Sequence, residues 1–262
     1  MEEFFLFPFF ALIGLIAGIL GSMIGIGGGI IISPVLTFLG LPPPQVAGTS
    51  LFAVSSTSIS STIAYAKSKK IQYILGIKMA LLSIPGAIIG SYFSTEIDPG
   101  NFKIILAIIL LGTGIYLMYK KAIINGNSLS FNSTWVKVLF YSSTFVAGII
   151  SSLFGVGGGV IFVPLMIMII GLTMHLAAPT SQFVLMITSL VGLSIHIILG
   201  NPQYLPAVLL SIGAFTGAQI GSRLTSKLSE QKLRLILGIT FVGIATKLMF
   251  DFYQVTYSIN MT

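Results

Sequence analysis

The chain is expected to be an all-α, polytopic helical membrane protein made of two inverted-topology repeats of about five segments each. Three observations predict this. Of 262 residues, 55% are hydrophobic and only 7% charged, with a mean hydropathy of +1.03. The run Gly25-Ile26-Gly27-Gly28-Gly29-Ile30-Ile31-Ile32-Ser33-Pro34 returns as Gly155-Val156-Gly157-Gly158-Gly159-Val160-Ile161-Phe162-Val163-Pro164. Basic loop residues also change position between the two copies.

Soluble domains carry about a quarter charged residues, so this chain has too few to cover a surface in water. A transmembrane β-barrel needs alternating strands of about ten residues, whereas the apolar runs here are long and unalternating. Net charge is +7, yet the basic residues lie in short loops between apolar runs. That pattern fits the positive-inside rule and not a nucleic-acid surface. The absence of cysteine excludes disulfides, thiolate metal sites and cysteine catalysis. Met1-Glu2-Glu3 stands where a signal peptide would carry a basic n-region, so a cleaved signal is not expected.

Hydropathy and turn residues give segments near 4–22, 27–40, 45–66, 73–94 and 101–119, then 138–153, 157–171, 176–199, 204–225 and 232–250. Most approach the roughly 20 residues that cross a bilayer. The segments after each glycine run are shorter and carry Pro34 and Pro164. Short, Gly/Pro-interrupted segments at matching places in two halves point to a transporter binding site.

The repeat extends beyond the glycines. Ala47, Thr49 and Ser50 align with Ala178, Thr180 and Ser181, and Gln72-Tyr73 with Gln203-Tyr204. Gly86, Gly90 and Ser91 align with Gly217, Gly221 and Ser222. The expected organisation is repeat one over 1–120, a cytoplasmic linker over 121–136 and repeat two over 137–262. In half one the third loop is basic (Lys67 to Lys70), while the fourth carries Glu96 and Asp98. In half two the third loop, Gly200 to Gln203, is uncharged, while the fourth carries Arg223, Lys227, Lys232 and Arg234. Bias that inverts in this way predicts an odd number of crossings per half, with both termini outside the cytoplasm. Whether the segments flanking each glycine run both span or form a re-entrant hairpin stays open, because both counts are odd.

A helix N-terminus exposes about four unpaired N–H groups and roughly half a positive charge. Glycines let an anion approach such backbone closely. Two termini, one per inverted half, are expected to converge on one oxyanion; close helix packing by small residues is the plainer alternative. No βαβ context accompanies the glycines, so they are not a dinucleotide site. Thr49-Ser50 and Thr180-Ser181, with Gln182, are candidate anion donors, although hydroxyls there can equally cap or back-bond a helix. Ser55, Ser56, Thr57, Ser58, Ser60, Ser61 and Thr62 crowd one helix, which is read as a pathway wall or a tight packing face. No Asp or Glu lies centrally in a segment. His175 and His196 fall near segment ends and read as interfacial. Lys78, Lys247 and Arg223 read as interface anchors, and Gln219 as a deep polar contact.

Two copies of Gly-x-Gly-Gly-Gly with a proline five residues on, each ahead of a Thr-Ser helix start and a Gly-x-x-x-Gly helix, resemble the sulfite exporter TauE/SafE family. That family is also called the 4-toluene sulfonate uptake permease family. The resemblance covers roughly 8–250 and implies a plasma-membrane secondary transporter for sulfite, sulfoacetate or other organosulfonates. The family's glycine motif maps onto Gly25, Gly27, Gly28, Gly29 and Pro34, and onto Gly155, Gly157, Gly158, Gly159 and Pro164. Its Gly-Thr-Ser pattern fits Gly48-Thr49-Ser50 and departs at Pro179-Thr180-Ser181.

The expected site therefore comprises those glycines and prolines with Thr49, Ser50, Thr180, Ser181 and Gln182. It is expected to hold a small anion without metal or cofactor, coupled to a proton or sodium ion, with no nucleic acid or nucleotide as partner. A passive anion channel and a small-carboxylate permease are the alternatives. An enzyme is not expected, for want of a carboxylate pair, metal cluster or Gly-x-Ser-x-Gly elbow.

Overall fold

The computed structural model describes residues 2–119 and 134–225, and beyond them 229, 231, 235, 238, 239 and 241–250. Most of the expected linker over 121–136 lies outside these, as do Lys227, Lys232, Arg234 and Asp251. The described residues form helices and turns with no strand. The helices are α1 (Glu2–Ile24), α2 (Gly29–Phe38), α3 (Pro43–Lys67), α4 (Tyr73–Glu96) and α5 (Pro99–Tyr119). They continue with α6 (Thr134–Phe154), α7 (Gly159–Leu165), α8 (Met174–Ile198) and α9 (Tyr204–Leu224), then α10 (Phe241–Phe250). A π-helical turn, Met166–Ile170, extends α7.

Among the described residues, α1, α4, α6, α8 and α9 are long and apolar enough to cross a membrane. Large apolar side chains on them lie open, as on Leu12, Ile74, Ile198 and Ile212, which suits a lipid surround and would be a liability in water. The short helices differ. At 1.5 Å per residue, α2 is about 15 Å long, roughly half the hydrocarbon thickness. Each glycine run is thus followed by a helix too short to span alone.

Contacts group the chain into two units: Met1–Thr95 with Asn125–Lys227, and Glu96–Ile124 with Leu228–Thr262. Within the second, α5 and α10 pack closely: a Cβ added at Gly114 would meet Val242 Cγ2 at 3.0 Å and Phe241 Cβ at 3.1 Å.

Within the first unit, glycines let backbones touch. Cβ atoms added at Gly14 and Gly18 of α1 would strike the Leu210 and Ala214 carbonyls of α9, and those at Gly217 and Gly221 would strike Leu15 and Ile19 of α1. The α4–α6 contact repeats this: Gly86 and Gly90 face the Phe145 and Ile149 carbonyls, and Gly148 faces that of Ser83. Such approach is how membrane helices gain van der Waals contact without a hydrophobic drive between them. In both pairs the residue numbers rise together, so α1 runs parallel to α9, and α4 parallel to α6. Each half lends a helix to the other.

The hydroxyl-rich α3 lies inside. Ser56 and Ser60 donate to the Ser211 and Phe215 carbonyls of α9 at 2.9 and 2.7 Å, so these two helices run in the same direction. Gln219 Nε2 donates to the Ser60 carbonyl and hydroxyl, each at 3.0 Å. Ser55 donates to Ser189 of α8 at 3.1 Å, and Gly192 packs on Leu51, so α3 and α8 run antiparallel. Thr57 and Ser61 spend their protons on carbonyls one turn back.

At one end of this unit Tyr65 Oη donates to the Ser22 carbonyl at 2.9 Å and shares a 2.9 Å hydrogen bond with Thr225. That tie gathers the ends of α1, α3 and α9, and with them Lys67, Lys69, Lys70 and Arg223. A cavity of about 300 Å³ at the same end places Lys78 of α4 beside Phe140 and Tyr141 of α6, one turn from Lys137.

Candidate functional site

The site starts where α1 and α6 break. Gly25 and Gly155 adopt φ values of +84° and +65°, and Gly27 and Gly157 values of +88° and +82°, a region that L side chains rarely enter. The third glycines differ: Gly28 is left-handed at +82°, whereas Gly158 lies in the right-handed helical region at −64°. In the first loop, the N–H groups of Gly25, Ile26 and Gly27 converge on the Gly21 carbonyl at 3.1, 2.9 and 3.2 Å.

The two loops meet backbone to backbone. A Cβ at Gly29 would strike the Gly155 carbonyl oxygen, and one at Gly159 the Gly25 carbonyl oxygen. Two hydrogen bonds lock this crossing from outside. Ser50 Oγ donates to the Gly155 carbonyl at 2.7 Å, and Ser181 Oγ donates to the Gly25 carbonyl at 2.6 Å. The preceding threonines are equally reciprocal. Thr49 Oγ1 accepts the Gln203 N–H at 2.9 Å, ahead of α9, and Thr180 Oγ1 accepts the Gln72 N–H at 3.0 Å, ahead of α4. The departure from Gly48 to Pro179 leaves this intact, because each threonine is the seventh residue of its helix.

Gly25, Gly29, Ser50, Gly155, Gly159 and Ser181 thus meet at one crossing, and every expected site residue but the half-buried Pro164 is buried. The hydroxyls of Ser50 and Ser181 are already engaged with carbonyls. Pro34 and Pro164 sit inside α2 and α7, where they remove the N–H that would pair the carbonyl four residues back. No side chain caps α2 or α7, so the first N–H groups of these two helices, which have no intrahelical acceptor, are not met by a cap. Gln182 Nε2 donates to the Gly21 carbonyl at 2.8 Å, while its Oε1 and the Ser151 Oγ are buried without a partner.

Three residues go beyond the sequence reading. Ser33 donates to Ser50 at 3.1 Å. Val54 and Leu185, which align at the repeat spacing of 131, flank both loops. A Cβ at Gly27 would meet Leu185 Cδ1 at 3.0 Å and Val54 Cγ1 at 3.1 Å, and one at Gly157 would meet the same two side chains at 3.5 and 3.3 Å. The signal available for them was their shared repeat position beside a hydroxyl-rich stretch. His196 departs from its interfacial reading. It is fully buried, with Nε2 3.1 Å from the Ser152 carbonyl and Nδ1 2.9 Å from Asn201 Nδ2.

Among the described residues, no group of three or more His, Cys, Asp or Glu side chains is placed to hold a metal ion. Long apolar helices around two broken ones, with the broken tips meeting inside protein, define a polytopic membrane transport protein. The chain belongs to the sulfite exporter TauE/SafE family, which matches residues 10–248. It is 33% identical to the probable membrane transporter protein YunE of Bacillus subtilis, over 94% of this chain and 98% of that one. It is 30% identical to a probable membrane transporter protein of Methanocaldococcus jannaschii, over 90% and 92% of the two chains. A probable membrane transporter protein of a Sinorhizobium species is 27% identical over 95% and 94%. No solved structure matches the chain.

Proposed function

We propose that this membrane transporter is a secondary carrier of small sulfur-containing anions, sulfite, sulfoacetate or other organosulfonates, working by alternating access in the plasma membrane. Its halves form an inverted repeat, and the glycine crossing is the anion site. The observation that carries this reading is the reciprocal hold on the crossing: Ser50 on Gly155 and Ser181 on Gly25, with the uncapped N-termini of α2 and α7 buried beside it. N–H groups at such termini need an acceptor when water is excluded, and an oxyanion supplies several. The opposed directions of α3 and α8 support the inversion. Gathering of Lys67, Lys69, Lys70, Lys78, Lys137 and Arg223 at one end supports a cytoplasmic placement for that end, with both termini outside.

The family name supports the substrate class. Uptake of labelled sulfite and sulfoacetate into proteoliposomes tests the reading, with counterflow as the decisive arm. A carrier exchanges label faster when unlabelled substrate is present on the far side, and a passive channel does not. The seating of Val54 and Leu185 against Gly27 and Gly157 favours the carrier, because it closes the crossing. Unchanged transport after bulky replacement of both Gly28 and Gly158 overturns the site.

A further inference from the structure

The two halves close the same position with different chemistry. In half one, Tyr65 of α3 donates its hydroxyl to the Ser22 carbonyl, three residues before the first glycine loop. In half two, His196 of α8 reaches the Ser152 carbonyl, three residues before the second. Tyr65 and His196 stand 131 residues apart, and Ser22 and Ser152 stand 130 apart, which are the two spacings of the repeat. A phenol and an imidazole thus tie equivalent carbonyls, and only the imidazole exchanges a proton near neutral pH.

We propose that His196 is a proton-binding site of the carrier, loaded together with an anion at the adjacent glycine crossing. This rests on the carrier reading above.

The ring's partners define its states. A carbonyl only accepts, so Nε2 carries hydrogen and donates to Ser152. Nδ1 faces the Asn201 amide at 2.9 Å, and with Nδ2 turned towards it the ring accepts there and is neutral. When a proton from water bonds to Nδ1, the ring becomes a donor at both nitrogens. A half-turn of the Asn201 amide then presents Oδ1 as acceptor. The same partner satisfies both forms, which a purely structural histidine does not need. Asn201 is half-buried, in the turn that follows α8, and links the ring to the aqueous side.

Among the described residues, the ring's hydrogen-bond partners carry no charge. From α6 the ring meets the Ser152 carbonyl, and the Ser152 hydroxyl is bonded to Ser91 of α4 at 2.5 Å. On α4, Tyr92 and Glu96 are exposed, and on α9 Tyr204 is exposed and meets Phe52 edge to face. The first titratable residue of α3 is Tyr65, at its far end. His175 is exposed at the opposite end of α8.

Two links reach the crossing. Ser152 lies three residues ahead of Gly155 at the end of α6. On the other side of Asn201, Pro202 packs on Gly48 and the Gln203 N–H is held by Thr49, next to the Ser50 that grips the Gly155 carbonyl. An imidazolium here is a counter-charge for an anion at the second loop. Proton and monoanion load with no net charge, each raising the affinity for the other. On release, Nδ1 returns its proton to water and the amide turns back.

Two measurements test this. The chain has two histidines, so His175→Gln protein with ¹⁵N-labelled histidine reports His196 alone by NMR, whether or not any substrate is known. The expected result is reversible protonation in the folded protein. A ring that stays neutral until the protein unfolds overturns the proposal. In proteoliposomes the probe is methanesulfonate, a monoanion across the whole pH range. An acid-outside gradient of one unit is expected to raise its accumulation about tenfold, the factor one pH unit carries. His196→Gln keeps a donor for Ser152 and an acceptor for Asn201, and is expected to abolish that response. Tyr65→Phe, which removes the equivalent tie in half one, is expected to keep it. Gradient-independent uptake by the unmodified protein, or a response surviving in His196→Gln, overturns the proposal. No uptake of any sulfonate counts against the carrier reading, and the NMR arm then decides the proton site alone.

Discussion

The Ser50 hydroxyl donates to the Gly155 carbonyl at 2.7 Å across 105 positions of chain. Because Ser33 in turn donates to Ser50 at 3.1 Å, removing this one oxygen strands two buried partners. Ser50→Ala is expected to lower stability by about 1–3 kcal/mol, the range for an orphaned buried group. Ser181→Ala breaks the matching bond to Gly25 and has no counterpart of Ser33, so its loss should be smaller. Thermal unfolding of both variants in one detergent gives the order.

Close approach at the crossing leaves no room for a methyl group. Gly29→Ala and Gly159→Ala each drive a Cβ into the opposite loop's carbonyl, and transport is expected to fall at least about tenfold, or about 1.4 kcal/mol. Gly112→Ala in α5 is the control. Nothing lies within 4 Å of its added Cβ, and alanine is the better helix former by up to about 1 kcal/mol. Transport by the control should match the unmodified protein. Similar losses in all three would remove the crossing's special status.

Val54 and Leu185 are expected to act as a gate. Shortening both to alanine opens space between Gly27 and Gly157 while leaving the hydrogen bonds of Ser50 and Ser181 in place. The predicted phenotype is a leak: labelled anion escapes preloaded vesicles without exchange substrate outside, and counterflow stimulation declines. Intact counterflow with no leak would assign the pair to packing only.

Gln182 stands where half one has Leu51, and its Oε1 is buried without a partner. Gln182→Leu loses one hydrogen bond to Gly21 and also removes that orphan acceptor. The two effects oppose each other, so the melting temperature should move by only a few degrees. Transport is expected to fall about tenfold or more if the free oxygen serves the permeating species. A large fall in melting temperature with normal transport would make the residue structural.

Much of the architecture was legible because apolar length and repeated turn residues are local signals. The segment expected over 73–94 is α4 at Tyr73–Glu96, and that over 204–225 is α9 at Tyr204–Leu224. Of the candidate residues, Gly25, Gly29, Ser50, Gly155, Gly159 and Ser181 meet at one crossing. Their partners were not legible. A hydroxyl at Ser181 carries no sign that its acceptor is Gly25, and two-sided apolar helices give no rotational clue to which faces meet. His196 was misread for a related reason. Its position near a helix end suggested an interface, whereas its burial depends on Asn201, which lies past the helix, and on Ser152 from another part of the chain.

The reciprocal crossing also bears on how the protein is made. During synthesis the Gly25 loop enters the membrane long before its holder exists, since Ser181 follows it by 156 residues. Until α8 is in place, the first break in the bundle has no Ser181 to fix it. Nor can a separately produced first half close its own loop, because the serine it carries grips the other. Completion of the second half is thus the step that finishes the first.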